Sequence, residues 1–187
     1  LVDRLLPAVG ESAPVVNLTR RRSLNRIQIL GLRPEDAWVL PRGELTSPDG
    51  LPLQLEALGA NEVYLNAAAA EALGAAAGDT LEVYTGSHPR ALTVRAAAGQ
   101  GKDPRMLVTL RQAQRMFNQP GSINVIYVSN LGDALSGAQH SQAVTAHLRG
   151  LLSDPKTAAQ IYAELAGDPA VSQALRRAAA GEEGNTQ

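Results

Sequence analysis

Apolar and polar positions alternate most cleanly in Glu62–Leu65, where Val63 and Leu65 share one face and Glu62 and Tyr64 the other, the pattern of a half-buried strand. Asn66 ends that run. Behind it, the alanine-rich Ala67–Leu73 predicts a short helix capped by the Asn66 side chain, with Glu71 in solvent. Gly74 suits the left-handed position that closes such a helix. After Ala75–Ala77, Gly78-Asp79 is a turn dipeptide opening a strand with Leu81 and Val83 on one face and Thr80, Glu82 and Tyr84 on the other. Strand, helix, turn and strand therefore follow without a gap from Asn61 to Tyr84, and a helix so short and apolar belongs on a sheet.

Taken in order, Leu1–Leu6 reads as the last turn of a helix, with Leu1 and Leu5, Val2 and Leu6 at helical spacing and Pro7 stopping it. Val15–Thr19 and Arg26–Leu30 are predicted strands, joined through Arg20–Asn25 as a hairpin connection. From Gly31 to Gly59 periodicity is lost to prolines and glycines, so a long excursion is expected, pinned to the core by Trp38, Val39 and Leu40. Beyond the central unit, Gly86–Pro89 turns into Ala91–Arg95, a strand antiparallel to Leu81–Thr85, and Ala96–Asp103 is loose. Met106–Leu110 predicts a buried strand. It feeds an amphipathic helix, Arg111–Asn118, with Leu110, Ala113, Met116 and Phe117 inward and Arg111, Gln112 and Arg115 outward. Pro120-Gly121 turns the chain into Ile123–Val128, the most strand-like run of all.

The character changes after Asn130. Val144, Leu148, Leu151 and Leu152 stand at helical spacing in Ser141–Leu152, and two matching segments follow, Asp154–Gly167 and Asp168–Gly181. Each opens with Asp as N-cap and Pro at the first helical position and closes with Gly. Their apolar positions form narrow seams, Ala158, Ile161, Tyr162 and Leu165 in one and Val171, Leu175 and Ala178 in the other, and a lone seam needs a partner surface. Ile161, Tyr162, Leu165, Val171 and Leu175 are accordingly the candidate partner-binding residues. The predicted organisation is α+β, with a mixed-sheet core over residues 1–132 and a helical arm over 133–187 ending in a frayed tail.

Composition narrows the function classes. A net charge of -1, with basic residues scattered apart from Arg20–Arg22, and 3% aromatic content argue against nucleic-acid binding. The Arg20–Arg22 run is either an anionic-partner patch or a solvated turn, the latter being commoner for so short a cluster. The absence of cysteine removes disulfides, thiolate metal sites and a cysteine nucleophile. No apolar run is long enough to cross a bilayer, and no signal peptide is evident. The first residue is Leu rather than Met, so the chain is expected to be a fragment whose missing flanks could include membrane helices.

Candidate chemistry is thin. His88 lies in a turn, and His140 and His147 stand too far apart along a helix to share one metal. Gly99-Gln100-Gly101-Lys102 lacks the glycine spacing and the following Ser/Thr of a phosphate-binding loop. There is no Gly-x-Ser-x-Gly elbow and no carboxylate pair in an apolar setting, and Asp79 after Gly78 is placed to hold backbone N–H groups. Trp38 could line a ligand site, but packing is the more frequent role. No catalytic, cofactor or metal site is predicted, which favours a binding or mechanical part over an enzyme.

The order EVYLNAAAAEALGAAAGDTLEVYTG, a second strand, then MLVTLRQAQRMFNQPGSINVIYVS resembles the extracytoplasmic (MacB-like periplasmic) core domain of ABC-transporter permeases of the FtsX and MacB type. The matching residues are Leu73-Gly74, Gly78-Asp79-Thr80, Ala113-Gln114-Arg115, Phe117, Pro120-Gly121 and Asn124, across Glu62–Ser129. The helical repeats after Asp133 are not general in that family and mark an added arm. The resemblance implies a non-catalytic domain on the extracytoplasmic side of the cell membrane. It would be joined to permease transmembrane helices, coupled indirectly to a cytoplasmic ATP-binding subunit, and able to contact an extracytoplasmic protein or lipoprotein or to dimerise. Two alternatives stay open: a double-psi-barrel-like cofactor-binding subunit, suggested by the Gly-Asp strand pair, and a solute-binding module with a polar-lined cleft near Trp38.

Overall fold

The chain opens as a strand, not as the end of a helix. In the computed structural model, which describes residues 2–40, 43–86, 88–130 and 136–166, β1 (Val2–Asn17) forms an antiparallel hairpin with β2 (Arg22–Leu32), registered from Ala8 opposite Leu32 to Asn17 opposite Arg22. Leu6, Ala8 and Val9 are all buried. A strand covered on both faces shows consecutive apolar residues, and over so few positions that run also satisfies helical spacing. Pro14 does not break the strand, because it sits where the register shifts between Ala13 and Val15 and no ladder N–H is required there. The hairpin tip is only Leu18–Arg21, with Arg21 in the left-handed region at φ 55°, so Arg22–Asn25 belongs to the strand and not to the connection.

The proline-rich excursion contains two short 3-10 turns, Pro34–Val39 and Leu55–Ala57. Leu55, at 1% exposure, is a buried anchor, whereas Trp38 is 49% exposed; the expectation that Trp38 pins the loop to the core is corrected. Buried polar groups do part of that work. Arg33 Nε lies 2.6 Å from the buried Asp36 carboxylate, and Arg105 pairs with the buried Glu44.

Then come β3 (Glu62–Leu65), α1 (Ala67–Leu73), β4 (Thr80–Val83), β5 (Arg90–Ala97), β6 (Arg105–Thr109) and α2 (Leu110–Met116). β4 and β5 are antiparallel, as their alternation predicts, but β2 runs parallel to β6 and β3 parallel to β5. The order β2-β6-β3-β5-β4-β1 returns on itself because β1 pairs with both β4 and β2. Six strands thus close into a ring, which leaves these six no unpaired neighbour and sets Ile27, Ile29, Val63, Leu65, Leu81, Val83 and Val94 in the core, while a seventh strand extends the sheet from β1. Gly31 on β2 lets α2 approach: a Cβ there would collide with that of Ala113.

The last elements are β7 (Val125–Asn130), α3 (Ser136–Ser153) and α4 (Pro155–Ala166). Among the described residues, α3 packs on β7 and on α4. The chain divides into two compact units, Ala8–Pro120 and a second assembled from Leu1–Pro7 with Gly121–Gln187; the boundary expected at 132/133 lies outside the described residues.

Candidate functional site

The helical seam was the expected contact surface. Asp154 caps α4 as read from the sequence: its carboxylate accepts from the Thr157 amide at 3.0 Å and from the Thr157 hydroxyl, with Pro155 at the first helical position. The Thr157 hydroxyl and then its amide hold the Asp154 carboxyl below its ordinary value. On α3, Val144 is buried and Leu148 and Leu151 are half-buried, while Leu152 is 42% exposed. On α4, Ala163 is buried, Ala158 and Ile161 are half-buried, and Tyr162 is 39% exposed. Ile161 and Tyr162 are therefore brought to one helix, the first partly covered and the second open. Leu165 belongs to α4 but its side chain lies outside the described residues, as do Val171, Leu175 and the whole second repeat. The described part of the seam offers apolar area and one phenol.

The residues that sequence reasoning singled out elsewhere mostly do structural work. Asp79 is buried and its Oδ2 accepts from Asn17 Nδ2 at 3.1 Å, from the Ala76 amide at 3.1 Å and from Arg20 Nε at 3.2 Å. Asn17, chiefly, then the Ala76 amide, with Arg20 adding less, hold this carboxyl below its ordinary value. Asn17 was not picked out, although an Asn just before a turn is a legible signal: its Oδ1 accepts from the Thr19 and Arg20 amides. In the basic run, Arg20 is committed to Asp79 and Arg22 reaches the Glu71 carbonyl at 3.4 Å. These two contacts support the turn reading over the anionic-patch one.

Asn66 does more than cap α1. Its Oδ1 accepts from both the Ala69 and the Arg105 amides at 3.0 Å, and its Nδ2 donates to the Asp103 carbonyl at 2.6 Å. The phosphate-loop-like Gly99–Lys102 serves the same cap, since the Gln100 carbonyl accepts from the Ala67 amide at 3.1 Å and Gly101, at φ 127°, leaves room for Asn66. Gln112 is a further correction. Placed on the outer helix face by its polarity, it is 2% exposed and donates through Nε2 to the Glu62 carbonyl at 3.1 Å. His147 is exposed, and among the described residues no three His, Cys, Asp or Glu side chains gather as metal ligands.

No family model matches the sequence, and no curated protein does. Solved structures do. The chain is similar to the extracellular domain of the noncanonic ABC-type transporter YknZ from Gram-positive bacteria, with a TM-score of 0.49 and 12% identity over 70% of this chain and 66% of that one. It is also similar to the periplasmic region of MacB from Actinobacillus actinomycetemcomitans, with a TM-score of 0.48 and 14% identity over 80% of this chain and 68% of that one.

Proposed function

We propose that this chain is a non-catalytic extracytoplasmic domain of an ABC-transporter permease of the FtsX and MacB type, coupling ATP-driven motion to an extracytoplasmic substrate or partner protein by contact. The observation that carries this reading is the discontinuous second unit: Leu1–Pro7 belongs with Gly121–Gln187, while Ala8–Pro120 is inserted between them as a closed ring of strands. A domain suspended between two membrane helices needs its entering and leaving segments in one unit, and a ring of six paired strands is a stiff element through which a push can travel. The motif residues fit the same scheme. Gly74 closes α1 at φ 56°, Asp79 ties three segments together, and Ala113 packs against Gly31; none of these roles involves reactive chemistry.

These 187 residues contain no cysteine, so a single one introduced at the exposed Asp49, in a full-length background with any other cysteines replaced, reports on sidedness. In the full-length protein in intact cells, Asp49→Cys is expected to react with a membrane-impermeant maleimide; labelling that requires lysis overturns the reading. Closure of the six strands also suits a barrel-type cofactor-binding subunit, the second reading. Pterin or nucleotide retained by the purified protein would support it.

A further inference from the structure

Within the Ala8–Pro120 unit a cleft of about 340 Å³ opens between the start of β5 and α2, lined among others by Asn61, Arg90, Leu92, Gln112, Arg115 and Met116. Its charge is unbalanced. Arg90 and Arg115 are exposed and neither has a carboxylate partner among the described residues, whereas Arg95 nearby is matched to Glu62 at 2.8 Å. Glu62 is further held by the Gly59 amide at 2.8 Å, so it is not available to the two cleft arginines.

Gln112 adds a second, independent sign. Its Nε2 is used on the Glu62 carbonyl, but its Oε1 is buried with no hydrogen-bond partner. Reversing the amide does not cure this, because Oε1 would then face the Glu62 carbonyl oxygen, acceptor against acceptor. The unmet group is therefore an acceptor, and a buried acceptor without a donor is costly. Beside it the buried Leu92 and Met116 line the cleft with apolar surface.

We propose that this cleft binds the C-terminal residue of a peptide, its carboxylate between Arg90 and Arg115, its amide N–H donated to Gln112 Oε1 and an apolar side chain against Leu92 and Met116. Paired guanidinia suit a planar carboxylate, which accepts two parallel N–H bonds. A bare oxyanion leaves the apolar surface and most of the volume unused, whereas a terminal residue fills all three features. The assignment stands on the cleft alone and does not require the transporter reading.

The test is calorimetric titration of the full chain with N-acetyl-alanyl-leucine, its C-terminal amide, and inorganic phosphate, alongside NMR of the Gln side-chain amides. The free acid is expected to saturate, and the amide and phosphate to bind roughly tenfold more weakly or worse. Arg90→Gln and Arg115→Gln, both at exposed positions, should leave thermal unfolding unchanged and each weaken the acid by about tenfold. The Gln112 side-chain NH₂ resonances should shift on addition of the acid in the unsubstituted protein, a readout that does not depend on a Gln112 variant folding. No saturation by the acid, equal binding of phosphate, or undiminished binding in the double arginine variant overturns the proposal.

Discussion

The two units are held together by different means. In Ala8–Pro120 the joints between elements are fastened by buried polar side chains: Asn17 and Asp79 at the hairpin tip, Asn66 at the start of α1, and Gln112 between α2 and β3. Its exposed large apolar residues, Leu18, Trp38, Leu51 and Tyr84, sit at turns or strand ends. In the other unit Val128, Leu152 and Tyr162 are exposed within regular elements, and α3 and α4 meet through a narrow seam in which Val144 and Ala163 are buried. Hydrogen-bonded joints fix one geometry, because each broken bond strands a buried group, whereas an apolar seam tolerates sliding and new neighbours. The first unit is built to stay as it is; the second keeps uncovered surface.

The sharpest way to break this contrast is at Asn66. Asn66→Ala removes the cap of α1 and leaves the Arg105 amide and the Asp103 carbonyl unmatched, an expected loss of about 2–4 kcal/mol by denaturant unfolding. A loss below about 1 kcal/mol would show that these joints do not carry the unit. Gly31→Val comes next. The added atoms collide with Ala113, so α2 must lift from β2 at a cost of about 1–3 kcal/mol, and Ala113→Gly on the same chain should recover part of it.

Much of the first unit was legible in its local signals. The Asn66 cap on Ala69 and the left-handed Gly74 and Gly78 act within a few residues of themselves, so α1 and the flanking β3 and β4 follow from short-range chemistry, while the bonds of Asn66 to Arg105 and Asp103 do not; the Leu81/Val83 and Leu92/Val94 alternations suffice to pair β4 with β5. The ring was not legible. Its closure depends on β1 pairing with both β2 and β4 and on the parallel β2–β6 and β3–β5 pairs, contacts between segments far apart in sequence that no local pattern encodes. The same blindness misplaced the start of β1 and Gln112: a short run of apolar residues satisfies helical spacing as well as a strand does, and a glutamine looks like surface until a carbonyl waiting for its NH₂ is known. For the contact seam, the cap at Asp154 was readable because it is local. Which side of α4 stays open was not, since that depends on what α3 covers.

Acid should loosen the joints of the first unit and the Asp154 cap of α4 alike. Hydrogen bonds from Asn17 and Ala76 lower the folded-state value of Asp79 from its ordinary 3.8, and the Gly59 amide, followed by Arg95, lowers Glu62 from 4.5. A group whose folded value is depressed contributes stability that is present above its unfolded value and lost as pH falls through the folded one. The melting temperature is therefore expected to hold steady from neutral pH down to about pH 5 and to drop below about pH 4. Asp79→Asn should start several degrees lower at pH 7 and show a shallower decline. Scanning calorimetry of both proteins across this range reads the two slopes, and equal slopes would remove Asp79 from the account.

The smallest effect is expected at the seam. Tyr162 is exposed on α4, and no hydrogen bond from its hydroxyl ties it to the described residues, so Tyr162→Ala should change unfolding by no more than about 0.5–1 kcal/mol. Ala163→Leu, one position along, forces bulk into a fully buried site and should cost more, about 1–3 kcal/mol, despite being the more conservative change in polarity. The pair separates an exposed position from one already used in packing. If Tyr162→Ala proves as damaging as Ala163→Leu, Tyr162 is part of the fold of its unit, and the residue to seek for contact is the 42% exposed Leu152 on α3.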